Sequence, residues 1–332
     1  MKASTGHSHL TRLSALVRKS LFALVLFNQV ASSRMPRRTV HHEIASEYIG
    51  TKRTVQAHHF GPKNSLTRRA YIQASLHADE LPGIQANFRV LIQHKLPVLT
   101  SHLFTSSIVG MLVAHHLIHL LDDAAEQGLI KDEIIIVPFA NPIGLSQHVL
   151  GSQIGRFSLE SGINFNRDYT DIGPAVAARV GDKLCLDGVT NVKLIRDAMI
   201  EEMTNLKVIG EEGSMKRILF EMACTSDIVL DLHCDSDAVL HMYTHSKLWP
   251  NLSDLAAELG SEVHLLALQA GGLPFDDACS CPWSFLAERF PSFPIPMACE
   301  SATIELRGES DVSPSIRTQS HFSFFFLSIL YK

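Results

Sequence analysis

Leu76-His77-Ala78-Asp79-Glu80-Leu81-Pro82-Gly83 decides how this chain is read. A strand-like run, Ala70 to Leu76, delivers His77, and Glu80 follows three residues later at the start of a turn. Imidazole and carboxylate at that spacing reach one ion from a single loop, and both are ordinary zinc ligands. Short patterns of common polar residues also arise by chance in a long chain, so the pair asks for a third ligand and a base elsewhere.

His233, in Asp231-Leu232-His233-Cys234-Asp235, is the third-ligand candidate. It ends an apolar run, at the expected carboxyl end of a strand, where open α/β sheets place their sites. Two ligands close in sequence and one distant make a three-ligand zinc site with a fourth position open to water, which is the catalytic pattern. The bland alternative is a hydrogen-bonded histidine at a strand end. Asp231 and Asp235 are candidate outer partners for its ring.

Glu305, in Ala302-Thr303-Ile304-Glu305-Leu306-Arg307-Gly308, is the candidate base. A carboxylate on an otherwise apolar, β-branched strand is unusual unless it faces a polar site, although pairing with Arg307 at a strand edge is the competing explanation. A base there takes a proton from water during attack on a carbonyl and returns it to the leaving amine. Arg156, Asn166 and Arg167 form the remaining cluster, in Gly155-Arg156-Phe157 and Asn164-Phe165-Asn166-Arg167-Asp168. A guanidinium fork matches a carboxylate, an amide adds a donor, and Arg156 suits a developing oxyanion. Taken singly, all three are ordinary surface residues.

Outward from these positions the chain alternates strand-like and helix-like segments from about Thr39. Strands are expected at Ala70 to Leu76, Glu133 to Phe139, Ile228 to Leu232, Val263 to Gln269 and Ala302 to Leu306. Helices are expected at Met111 to Gln127, stopped by Gly128, and at Val192 to Leu206 and Ser214 to Cys224. That alternation predicts an α/β layered domain with a mixed, largely parallel sheet. The run at Glu133 to Phe139 is nearly unbroken in its apolar character, as in a strand covered on both faces.

The 332 residues, 46% hydrophobic and 19% charged, fit a globular chain, and a net charge of -5 with no basic stripe gives no reason to expect nucleic acid. No segment approaches the roughly 20 apolar residues of a membrane span, so no stable membrane insertion is expected. Six scattered cysteines without a C-x-x-C pair read as reduced thiols of a cytoplasmic protein. Residues 1–38 read as an N-terminal extension. It is basic and acid-free over its first 34 residues, which makes a disordered tail or a secretory or organellar signal the alternatives. Residues 39–313 read as the hydrolase domain. Residues 84–110 form an atypical insertion and 314–332 an aberrant or truncated tail; a genuine insertion and terminal strand is the plain reading of both, and non-coding sequence read through the competing one. On the helix, His115 and His119 stand at i, i+4, but His116 occupies the place where an H-E-x-x-H protease carries its Glu.

His77-x-x-Glu80, Asn141-Pro142-x-Gly144, Asn164-Phe165-Asn166-Arg167, Asp231-Leu232-His233 and Thr303-Ile304-Glu305-Leu306-Arg307 occur in that order. Together they resemble the succinylglutamate desuccinylase/aspartoacylase family, which belongs with the zinc carboxypeptidases, over about residues 70–313. The resemblance implies a three-layer α/β/α fold of zinc-carboxypeptidase type and one Zn2+ per chain held by His77, Glu80 and His233. It also implies Glu305 as general base, Asn166 and Arg167 binding the substrate carboxylate, and Arg156 stabilising the oxyanion. The expected reaction is hydrolysis of an amide, or an ester, in a small carboxylate-bearing molecule such as an N-acyl amino acid. A metallocarboxypeptidase is the alternative within the enzyme class, and a catalytically impaired zinc-binding scaffold the alternative outside it. Family members continue well past the catalytic Glu, whereas 27 residues follow Glu305 here. The sequence leaves the oligomeric state open.

Overall fold

Alternate residues of the central strands enter two separate cores, which defines the layers. The computed structural model describes residues 35–48, 50–63, 68–80 and 108–308. Strands β1 (Arg38–Glu43), β2 (Thr54–Phe60), β3 (Arg69–Ala74), β4 (Glu133–Val137), β7 (Ile228–Asp235), β8 (His241–His245), β9 (Val263–Ala267) and β10 (Glu300–Gly308) form one sheet. Its order is β1-β2-β4-β3-β7-β10-β8-β9, and a short hairpin, β5 (His148–Val149) and β6 (Ser152–Gln153), stands apart. The four central strands β4, β3, β7 and β10 run parallel, while β2 and β8 pair with them antiparallel at either side. The sheet is therefore mixed and largely parallel, as the alternation of segments predicts.

On β7, Val229 belongs to one core and Leu230 and Leu232 to the other; on β3, Tyr71 opposes Ile72 and Ala74. This period of two is the strand's own pleat. The first core is closed by helices α3 (Gly173–Val180), α4 (Gly188–Asn205), α5 (Gly210–Ala223) and α7 (Phe275–Arg289), through residues such as Val176, Met199, Phe220 and Trp283. The second is closed by α1 (Ile108–Glu126) and α6 (Trp249–Leu259), through Leu117, Leu121, Leu252 and Leu259. A single turn, α2 (Pro142–Leu145), follows β4. The result is a three-layer α/β/α domain. None of the described helices is long and apolar enough to cross a membrane.

Element boundaries differ from expectation where caps outrun apolar periodicity. α4 begins one turn before Val192 because the Asp187 side chain accepts a hydrogen bond from Thr190 N at 3.0 Å. β7 runs through His233 to Asp235 rather than stopping at Leu232, so the third-ligand candidate lies within the strand. β1, β2, β8, α3, α6 and α7 had no strong sequence signal. α7 buries Asp276, Asp277 and Ser280 along with its apolar residues and contains Pro282, which blurs its amphipathic pattern. The expected tail 314–332 lies outside the described residues. So does most of the 1–38 extension and of the 84–110 insertion.

Candidate metal centre

β3 turns out of the sheet at Ser75, whose φ of 65 is left-handed, and this releases the loop that carries His77 and Glu80. Two contacts fix that loop. Asn141 donates its side-chain amide to Leu76 O at 2.9 Å while its Oδ1 accepts from Gly144 N at 2.7 Å, so one residue caps α2 and holds the loop. Ala78 N donates to Gly155 O at 3.0 Å, and a side chain on Gly155 would come within 2.3 Å of the Ala78 backbone. Gly155 is needed for that close approach. From the other side, β7 supplies His233, and β10 sets Glu305 directly beside it in the parallel register.

The two imidazoles and Glu80 meet at one point. His77 Nδ1 contacts Glu80 Oε1, and His233 Nδ1 stands 2.8 Å from Glu80 Oε2. One ligand atom from each residue falls within 4.8 Å of the others, and all three side chains are buried. Each ring is held from behind through its other nitrogen. Asn164 Oδ1 lies 2.7 Å from His77 Nε2, and Asp231 Oδ2 lies 2.9 Å from His233 Nε2, an ion-pair contact set too far off line for a hydrogen bond. Asp231 is itself anchored: Gln73 Nε2 donates to its Oδ1 at 3.0 Å, and Tyr71 OH donates to Gln73 Oε1 at 2.8 Å. The Asn164 bond favours the His77 tautomer that leaves its inner nitrogen able to bind a metal, and the Asp231 contact supplies charge behind His233.

The electrostatics favour a cation at the centre. Burial pushes the Glu80 carboxyl up, but the charge of His233 and the hydrogen bonds from both rings outweigh it and hold the pKa well below the usual carboxylate range. Burial pushes His233 down, yet Asp231 and Glu80 raise it well above an ordinary histidine. Glu305 behaves differently. Burial raises it, His233 offsets part of the rise, and Glu80, Asp235 and Asp231 add to it, which brings it to about 7. Its Oε2 is buried without a hydrogen-bond partner. The donor set and this orphaned oxygen both fit a resident metal held by His77, Glu80 and His233.

Arg156 joins the cluster, with Nη2 3.2 Å from Glu80 Oε1 and Nη1 3.2 Å from His77 Nδ1, while 41% of its side chain remains exposed. Asn166 is buried, and its Oδ1 accepts from Phe275 N at 2.9 Å, tying this segment to the start of α7. Arg167 is half-buried, donates to Asn166 O at 2.7 Å, and lies against Gly272, where a Cβ would meet its Cδ at 2.8 Å. Two residues near the site carried no sequence signal of function. Asn164 sits only as the first letter of a motif read for its later members. Tyr243 on β8 is 40% exposed and feels the charges of Glu305 and Arg167 together; burial and Glu305 raise its pKa, and Arg167 opposes them. His115 and His119 stay on α1, outside this cluster.

No protein-family model and no curated protein matches the sequence. Solved structures do. One described as a succinylglutamate desuccinylase/aspartoacylase family protein, from Shewanella amazonensis SB2B, superposes with a TM-score of 0.66 and 22% identity, over 89% of this chain and 73% of that one. Another so described, from Shewanella frigidimarina NCIMB 400, gives 0.67 and 21%, over 89% and 71%. A third, from Rhodobacter sphaeroides, gives 0.50 and 12%, over 91% and 68%. The chain therefore has the fold of the succinylglutamate desuccinylase/aspartoacylase proteins, the one its motifs resemble.

Proposed function

We propose that this chain is a zinc-dependent hydrolase of the succinylglutamate desuccinylase/aspartoacylase type, acting on the amide bond of a small N-acyl amino acid. The observation that carries the reading is the meeting of His77, Glu80 and His233 at one buried point, with both histidine rings held from behind and Glu305 alongside. Zinc bound there supplies Lewis acidity and lowers the pKa of water towards about 7.

The chain's own residues account for the remaining requirements. Glu305, raised to about 7, is matched to accept a proton from the attacking water on its orphaned Oε2 and to hand it to the leaving nitrogen. Water adds to the carbonyl carbon as the C–N bond breaks, giving a carboxylate and an amine. Arg156, a guanidinium beside Glu80 and partly open to solvent, would stabilise the carbonyl oxygen as it gains charge. Asn166 and Arg167 receive the substrate carboxylate, Arg167 through its fork and Asn166 through its amide nitrogen. A cytoplasmic protein meeting small metabolites suits these roles.

The test uses the purified full chain. Elemental analysis should give one zinc per chain. N-acetylaspartate and N-succinylglutamate should be hydrolysed in preference to peptides with free C-termini. A preference for the peptides would favour a carboxypeptidase instead. Stoichiometric zinc without hydrolysis of either class would leave a binding scaffold.

A further inference from the structure

The segment that carries Arg167 is held from behind by a buried lysine that the proposed reaction leaves unused. Lys216 lies on α5 beside Met215, Leu219 and Phe220 of the first core, and only 9% of it is exposed. Its Nζ donates to the Arg167 carbonyl at 2.8 Å and to Glu212 Oε1 at 2.7 Å, and stands 5.7 Å from the centre of the Tyr169 ring. We propose that Lys216 is a positioning residue for carboxylate recognition, pinning the backbone of Arg167 so that its guanidinium is presented to the substrate. The inference rests on the role proposed above for Arg167.

Cost is the first argument. A lysine in a core gives up the hydration of its ammonium and the freedom of a long stem, whereas an apolar residue of the same length fills that space without either loss. What the amine adds is its contacts. Glu212 and the face of Tyr169 offset the buried charge. The third contact is aimed at the peptide that follows Arg167. An ammonium has three N–H donors, and these three partners engage it inside the protein, so its effect on a ligand passes through Arg167.

The backbone at Arg167 is the second argument. Asp168 has a φ of 57, in the left-handed region that is uncommon outside glycine and is kept only by the contacts around it. Arg167 N donates to Asn164 O at 3.1 Å, and Asp168 N donates to Gly272 O at 2.7 Å. The peptide plane between Arg167 and Asp168 is thus gripped at both ends, its carbonyl by Lys216 and its amide by Gly272. Glu212 extends the clamp, because its Oε2 accepts from Ser161 Oγ at 2.7 Å. Removing the ammonium frees that plane to turn, which redirects the Arg167 side chain. A guanidinium away from the reacting bond holds substrate and transition state alike, so its loss is read in KM rather than in kcat.

The experiment uses the zinc-loaded full chain, with succinate binding followed by calorimetry and N-acetylaspartate hydrolysis by initial rates. Lys216→Met keeps the length of the stem. It should weaken succinate binding about tenfold and raise KM by the same factor, with kcat within about twofold and one zinc per chain. Lys216→Arg, which retains a cationic donor, should recover part of the affinity. The double variant Lys216→Met/Glu212→Met removes the ion pair together and leaves no uncompensated buried carboxylate, so it carries the test if the single variant does not fold. It should show the same loss. The proposal is overturned if the Met or double variant binds succinate as the parent does, if kcat falls at unchanged KM, if Lys216→Arg is no better than Lys216→Met, or if the parent binds no succinate. A parent that binds succinate but hydrolyses nothing would end the hydrolase reading, and the binding ratio would still decide the role of Lys216.

Discussion

Asn164 Oδ1 lies 2.7 Å from Nε2 of His77, on the side of the ring away from Glu80. Hydrogen bonding there puts a proton on Nε2, the tautomer in which Nδ1 can offer its lone pair to a metal in place of the contact with Glu80. Asn164→Ala should therefore weaken zinc binding about 10–100-fold, measured by competition with a chelator. Zinc retention equal to the parent's would remove Asn164 from the centre.

Glu305→Gln keeps the shape of the side chain and removes its basicity. Zinc content should stay at one per chain while the hydrolysis rate falls by about 10²–10⁴. Comparable turnover in the Gln variant, in the presence of full zinc, would take Glu305 out of the reaction.

Gly155→Ala tests the loop rather than its ligands. The added methyl would fall 2.3 Å from the Ala78 backbone, where no flexible side chain can yield. Either the ligand loop or the segment before Arg156 must shift, at a cost of about 1–3 kcal/mol. The variant should melt lower and bind zinc more weakly, with Glu305 untouched; a parent-like melting curve and zinc affinity would show that the approach is slack.

Asp276, buried at the start of α7, gives a pH test that does not involve the metal ligands. Burial, then the charges of Asp277 and Asp231, raise its pKa from 3.8 to about 7. The folded chain thus holds a proton that the unfolded chain has already lost across that interval. This contribution to stability is full below the unfolded value and disappears as pH rises through about 7. Asp276→Asn should flatten the decline in stability between pH 4 and pH 7, read from denaturant midpoints across that range. An unchanged slope would mean that Asp276 titrates normally.

Much of the domain was legible because strand and helix signals are local. Ile134, Ile135 and Ile136 announce a strand buried on both faces, and β4 is buried along its whole length. α7 was illegible for the complementary reason. Its acidic and hydroxyl residues, Asp276, Asp277 and Ser280, are buried along with its apolar ones, which erases the apolar stripe a helix normally shows. β8 was lost in the same way, since His241 and Thr244 are buried polar residues on a five-residue strand.

The sequence alone picked out the candidate site residues: a His and a Glu three apart after a strand, a His where an apolar run ends, a Glu on an apolar strand. Residue type and local spacing are sufficient for that. Tertiary structure alone decided how they stand to one another. Strand order makes β10 the neighbour of β7, bringing Glu305 beside His233, and chain reversal brings Asn164 behind His77 from 87 positions away. Burial of Glu305 and the cramped approach of Gly155 are likewise products of packing. A pKa or a tautomer depends on what surrounds a group in space, and no local pattern of residues contains that.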